Sequence, residues 1–384
     1  QQMETHLDDP KSLLVITDPL RGSMANLVET FASAYGGESI AFQPMEESVF
    51  DTVIYEWIGD DAVPLFDLSR TDYLLSFGVD FLGTWTSPVQ FSRGYGDFRQ
   101  GDGRTRGKLV HVEPRFSMSA ANADQWVPLN PGYEGLLALS IAQVIVSENL
   151  VDSATIQSMT SNNKNILDEF APEKVVDILG IPDLNGHSAI QTIKEIAHEF
   201  AENGPHSLAI GGGPAGAHTN GYFNLQAIYA LNFLTGSVGP NGTIRTNPSA
   251  PTKSLQTRIS AASTAEWLDR KGRLGSETKL VLIQGADPVH GLPSDLGFEE
   301  SLNNDGIFMV SFSPLMDDTT NMADLVLPNR VALEDWNIDV PQPGPGFETV
   351  GLQQPIVNPL PGISPMSFAD IILRMSHELG LSLQ

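Results

Sequence analysis

Cysteine is absent from all 384 residues of this sequence. That absence removes disulfides, thiolate nucleophiles and cysteine-ligated zinc or iron–sulfur centres in one step. Also lacking is any run of about 18 apolar residues, the least that suggests a membrane-spanning helix. The longest candidate, residues 136–151, carries Ser140, Gln143, Ser147 and Glu148 and reads as a helix packed in protein. Positive charge is scarce: 21 Lys and Arg stand against 47 Asp and Glu, for a net charge of −26. So acidic a chain offers no basic footprint for nucleic acid, and the charge reads first as a solubility device. The eight histidines form no HxxH or HExxH pair, and no GxSxG elbow or catalytic triad signature is visible.

What is present is an alternation of short apolar runs and helical spacing. SLLVIT (12–17) ends at Asp18-Pro19 and reads as a strand. Residues 24–36 follow a Ser23 cap, place Leu27, Phe31 and Ala34 on one helix face, and stop at Gly36-Gly37. Strands are predicted at 39–43, 73–80 and 108–114, and helices at 50–59 and 136–151. The programme then restarts. SLAIGGGP (207–214) matches SLLVITDP, the helix 223–236 matches the first helix, and LVLIQGAD (280–287) matches YLLSFGVD (73–80). FMVSFSP (308–314) takes the place of LVHVEP (109–114), and ADLVLPNRVALED (323–335) echoes ADQWVPLNPGYEG (123–135). We expect an α/β protein of two pseudo-repeated, doubly wound halves with mostly parallel sheets. They are drawn at residues 1–150 and 207–384, joined by a helical connector at 151–206.

Two stretches read as irregular loops. Residues 86–106 hold Gly94, Gly96, Gly101 and Gly103 among Arg93, Arg99, Arg104 and Arg106; residues 239–278 hold Arg245, Lys253, Arg258, Arg270, Lys271 and Arg273. About half of the 21 cations lie in these two stretches. Loops of such length are usually functional or disordered, and a docking surface is one use for them.

In a doubly wound sheet, ligands bind beyond the carboxyl ends of the strands. Gly78-Val79-Asp80 and Gly285-Ala286-Asp287 therefore mark two candidate binding edges, since glycine admits a close ligand and the acid beside it fixes orientation. The same residues also suit a tight turn followed by an Asp cap. Gly211 and Gly213 belong to a glycine run before a helix that could cradle phosphate, and Glu113 at a strand end could accept a ribose hydroxyl. His111 reads as packed within its strand, whereas His218 and His290 lie beside the edges.

The segments GVDFLGTWTSP, KLVHVEPRFSMSAANADQWVPLNPGYEG, LNFLTGSVGPNG, LVLIQGADPVHGLP and VSFSPLMDDTTNMADLVLPNRVALED together resemble the molybdopterin oxidoreductase family, in the family's order over most of residues 70–380. The resemblance implies two central dinucleotide-binding-like domains, each holding half of a molybdenum bis(molybdopterin guanine dinucleotide) cofactor. It implies cofactor positions at Gly78 and Asp80, with Glu113 and Arg115 near a ribose and Glu134 near guanine. The other edge takes Gly285 and Asp287, with Asp318, Thr319 and Asp324 close by. Against the family pattern, the cysteine-ligated iron–sulfur domain and the C-terminal barrel are missing from this sequence. Asp80 and Asp287 replace asparagines. The usual metal-ligand segment has only Ser48 or Asp51 as candidates.

These departures resemble the molybdopterin-like domain of the iron–sulfur subunit in bacterial alternative complex III, a quinol-oxidising assembly. The expectation is a scaffold without cofactor or metal of its own. It would sit on the periplasmic side of a membrane complex, beside a ferredoxin-like iron–sulfur subunit and quinol-binding membrane subunits. Two alternatives stay open. One is a catalytic molybdenum subunit of polysulfide or thiosulfate reductase type with its iron–sulfur domain on another chain. The other is a nucleotide-binding module without metal.

Overall fold

All five residues of β1 (Leu13–Thr17), of β3 (Tyr73–Phe77) and of β6 (Ser207–Gly211) are buried. Strands without an in–out alternation are those covered on both faces, as in parallel sheets flanked by helices. A computed structural model of the chain describes every residue except 1, 7, 8, 10, 46, 47, 60–62, 101–105, 249, 363 and 384. The remaining strands of the two main sheets are β2 (Glu38–Ala41), β4 (Lys108–Val112), β5 (Gln125–Val127), β7 (Leu280–Gln284), β8 (Phe308–Ser311) and β9 (Leu325–Val326). One sheet runs β9-β8-β7-β1-β2 and the other β5-β4-β3-β6. Every pairing within them is parallel.

The repeat seen in the sequence is therefore real: β7, β8, β9 and β1 stand in one sheet as β3, β4, β5 and β6 stand in the other. The strands do not sort by sequence half, however. β1 pairs with β7, from Leu13 opposite Leu280 to Thr17 opposite Gln284, and β6 pairs with β3, from Ser207 opposite Tyr73 to Gly211 opposite Phe77. The boundaries expected at 150 and 207 are corrected accordingly. Unit 1 comprises residues 1–48, 249–341 and 348–384; unit 2 comprises 49–248 and 342–347. Each of these strands is predominantly apolar, so its composition carries no address. Its neighbour follows from the crossovers that the rest of the chain has closed.

In unit 2, α4 (Glu134–Ser147) packs against α5 (Ala189–Glu202) and α6 (Gly221–Leu234). The segment 151–206 is thus part of that unit and not a connector. In unit 1, β1 divides its side chains by period two: Leu13 and Val15 join α1 (Gly22–Tyr35) and its Phe31 in one cluster, and Leu14 and Ile16 join Trp267 and Phe298 in another. Each such buried aliphatic or aromatic side chain contributes about 1.5–3 kcal/mol.

The two stretches read as loops hold structure. Residues 88–100 form α3 (Pro88–Gln100), with Phe91 and Phe98 buried and Trp85 stacked on Phe91 at 5.2 Å between ring centroids. Gly101, Gly103 and Arg104 lie outside the described residues. Within 239–278, Ile244–Arg245 pairs with Leu65–Phe66 and Arg258–Ile259 with Leu20–Arg21, and α7 (Thr264–Arg273) starts at a Ser263–Glu266 capping box. Several of their cations serve the fold: Arg99 binds Asp124, Arg245 binds Asp67, and Arg270 and Arg273 both bind Glu38. Glycine and polar residues on the outer helix faces hid these elements from a periodicity reading. Helices α2 (Ser48–Ile58) and α8 (Phe368–Glu378) complete the longer helices among the described residues.

Candidate functional site: the twin strand edges

Each central strand ends in a glycine in the left-handed region, Gly78 at φ +69° and Gly285 at φ +68°. A Cβ on Gly78 would stand 3.2 Å from the Ala215 nitrogen, and one on Gly285 would stand 2.8 Å from Asp18 Oδ1. Conformation and space both require glycine.

The acids two residues on have equivalent partners. Asp80 Oδ1 accepts from the Ser119 nitrogen at 3.0 Å and from its hydroxyl at 2.7 Å, while the Leu82 nitrogen donates to that hydroxyl at 3.1 Å. Asp287 Oδ1 accepts from the Thr319 nitrogen at 3.1 Å and from its hydroxyl at 2.5 Å, while the Val289 nitrogen donates to that hydroxyl at 3.0 Å. Five residues further along each chain segment, Asp124 accepts from the Leu109 nitrogen at 2.8 Å and Asp324 from the Met309 nitrogen at 2.7 Å. Asp80 and Asp287 thus each tie the loop after one strand to the turn after the next, and Asp124 and Asp324 tie that turn back to the start of its strand. Ser119 and Asp124 were not among the expected residues, although their spacing repeats that of Thr319 and Asp324.

In unit 2, Glu113 is buried, accepts from His111 Nε2 at 3.0 Å and from Arg115 Nε at 3.3 Å, and receives Trp126 Nε1 on its carbonyl at 2.8 Å. Burial opposes its ionisation, but hydrogen bonds from His111 and Ser117 and the Arg115 charge outweigh that and hold its pKa below the ordinary value. His111 is wholly buried, as expected. Arg115 keeps an exposed guanidinium 4.0 Å from Asp80 Oδ2. Glu134 is buried at the start of α4, where it accepts from Asn224 Nδ2 at 3.3 Å. Desolvation raises its pKa. Gly211 is explained by packing, since a Cβ there would meet Ile228 Cδ1 at 2.8 Å. Gly213, at φ +49°, has open space where a Cβ would stand. His218 is exposed in the turn that follows.

In unit 1, Asp287 is pulled two ways: partial burial opposes ionisation, and the Thr319 bonds prevail and lower its pKa. The exposed Asp318 lies 2.9 Å from His290 Nδ1, and that bond raises the histidine pKa. Among the described residues, Asp287, His290 and Asp318 form a group whose ligand atoms lie within 4.8 Å of one another. At the end of β1, Asp18 keeps solvent exposure, yet the protein around its carboxyl desolvates it and pushes the pKa up to about 6. Ser48 and Asp51 lie in the first turn of α2, both half-buried.

Two parallel sheets of matching strand order, each with a glycine and an acid beyond its central strand, define a protein built from paired dinucleotide-binding-type α/β units. The model of the family Molybdopterin oxidoreductase matches residues 14–345, and the chain belongs to that family.

Over 97% of its length the chain is 25% identical to a protein of Nitratidesulfovibrio vulgaris named menaquinone reductase, molybdopterin-binding-like subunit, of which it covers 52%. It is also 25% identical, over 76% of its length and 40% of the relative's, to the arsenate respiratory reductase molybdopterin-containing subunit of Chrysiogenes arsenatis. Among solved structures, acetylene hydratase from Pelobacter acetylenicus superposes with a TM-score of 0.75 at 18% identity, covering 99% of this chain and 57% of that one. The chain thus spans about half the length of the relatives it matches.

The family cofactor carries anionic diphosphates. The edge of unit 1 presents Asp18, Asp287 and Asp318, and His290 beside them is held by Asp318. These residues do not fit a diphosphate, because like charges at a few Å repel unless a cation bridges them.

Proposed function

We propose that the chain is a non-catalytic subunit of a membrane-associated electron-transfer complex that exchanges electrons with quinol, of alternative complex III type. The observation that carries this reading is the ionised Asp287 at the unit 1 edge, with Asp18 and Asp318 beside it, where the family cofactor would require a site for anions. The similarity to the molybdopterin-binding-like subunit of menaquinone reductase from Nitratidesulfovibrio vulgaris supports the same direction.

In this reading the chain covers and positions the iron–sulfur relay of a ferredoxin-like partner, next to quinol-binding membrane subunits on the periplasmic side. No helix among the described residues is long and apolar enough to cross a membrane, so attachment would run through those partners. Exposed apolar side chains on and around the hairpin β10 (Asn337–Asp339) and β11 (Gly351–Gln353), among them Leu333, Trp336, Leu352, Ile356 and Leu360, suit a protein contact. The net charge of −26 would attract a positively charged electron carrier.

The test is elemental analysis of the native complex for molybdenum and tungsten, paired with fluorescence of released, oxidised pterin. The expected result is far less than one metal and one pterin per chain. Near-stoichiometric amounts of both would overturn the proposal in favour of a catalytic molybdenum subunit.

A further inference from the structure

We infer that Asp18 closes the strand edge of unit 1 to the diphosphate of a dinucleotide, whereas the corresponding edge of unit 2 carries no acid there, its Gly212 lying against Trp85, and stays open at Gly213. The inference rests on the proposed function and deepens it, by naming the residue that makes the unit 1 edge unfit for the anion.

The correspondence comes from strand register. Thr17 lies opposite Gln284, the residue before Gly285. Gly211 lies opposite Phe77, the residue before Gly78. The next residues, Asp18 and Gly212, therefore hold the same place, each beside a left-handed glycine turn. In unit 2 that place is followed by Gly213, with nothing within 4 Å of where its Cβ would stand. In unit 1 it is followed by Pro19, which has no backbone N–H to offer an anion.

A diphosphate in such folds lies against the N–H groups of the glycine turn and the start of the next helix. At the unit 1 edge it would meet the Asp18 carboxylate first, 2.8 Å from the position of a Cβ on Gly285. Helix α1 begins behind it, and the Arg21 guanidinium at its N-cap is already bound to Asp339 at 2.9 Å. Unit 2 differs in sign at its surface. Glu134 and Glu113 are buried, Asp80 is turned onto Ser119 as Asp287 is onto Thr319, Gly212 stands in the place of Asp18, and Arg115 is exposed.

The experiment titrates guanosine diphosphate into the protein by calorimetry in magnesium-free buffer at neutral pH, comparing wild type with Asp18→Gly and Asp18→Asn. Circular dichroism confirms that each variant is folded, and the isosteric Asp18→Asn decides the matter if Asp18→Gly is not. Hydrogen exchange locates the ligand. The expected result is an affinity gain of about tenfold or more, the effect of removing one nearby like charge, with new protection at residues 18–24 and 285–290.

Unchanged affinity in the folded variants would overturn the role of Asp18, as would wild-type protein already protected at those residues. Absence of wild-type protection at residues 211–216 under saturating ligand would overturn the claim that the unit 2 edge is open. Stoichiometric molybdenum in the native complex would defeat the functional proposal independently, whereas unchanged diphosphate affinity would defeat only the assignment to Asp18.

Discussion

Thr319 donates both its backbone nitrogen and its hydroxyl to a single oxygen of Asp287, the hydroxyl at 2.5 Å, and is itself wholly buried. The carboxylate holds two loops of one sheet edge together, and Asp80 does the same for Ser119 in the other unit. An asparagine in either position could accept the same bonds through its side-chain oxygen. Replacing the amide by an acid therefore keeps the architecture while changing the charge.

Asp287→Ala should cost about 1–3 kcal/mol of stability, because two donors of Thr319 lose their acceptor. Asp287→Asn should cost clearly less. Urea denaturation of both variants checks this, and a smaller loss for Ala than for Asn would remove the capping role. Thr319→Val combined with Asp287→Ala should lose less than the sum of the two single losses.

Asp18 supplies a pH dependence of opposite sign to that of most carboxylates. Its pKa is raised from 3.8 to about 6 in the folded protein, so the folded state binds the proton more tightly than the unfolded state. Its favourable contribution is present below pH 3.8 and is lost as pH rises through about 6. Asp18→Asn should therefore raise the thermal midpoint at pH 7.5, with the advantage shrinking as the pH is lowered through that window. The solvent-exposed side of Asp18 moderates the size of the effect. Equal midpoints at pH 7.5 would show that the carboxyl is not desolvated.

Glu113 has the usual sign. Its pKa is depressed below 4.5, so its contribution is present above that value and disappears as pH falls through the lower folded pKa. Glu113→Ala leaves His111 Nε2 without its acceptor in a buried place and should cost about 3 kcal/mol at pH 7. Chemical denaturation at pH 7 and at pH 3.5 should show the gap between variant and wild type narrowing at the lower pH.

Gly78→Ala and Gly285→Ala should each destabilise by at least about 1–2 kcal/mol, the cost of the left-handed backbone alone. The Gly285 variant also forces Asp18 away from its turn, since a Cβ would approach Oδ1 to 2.8 Å. Adding Asp18→Gly should recover part of the Gly285→Ala loss and none of the Gly78→Ala loss. Equal recovery in both would show that Asp18 and Gly285 do not interact.

The alternation of apolar runs, the repeat, and the glycine–acid pair after each central strand were all legible in the residue order. These features arise from short-range physics: burial on two faces demands continuous apolar strands, and a left-handed turn demands glycine. The family could be recognised for the same reason, since its motifs are these turns. The helix Pro88–Gln100 was not legible, because its two buried phenylalanines are seven residues apart among glycines and polar residues.

Nor could the residue order show that β1 joins the sheet of β7 while β6 joins that of β3. Both strands are predominantly apolar and buried throughout, and either sheet would bury them; long-range crossovers make the choice. That choice places Asp18 beside Gly285, across some 270 residues of chain. Sequence proximity assigns Asp18 only a turn before a proline, and the neighbouring strand turns it into the charge at a ligand edge.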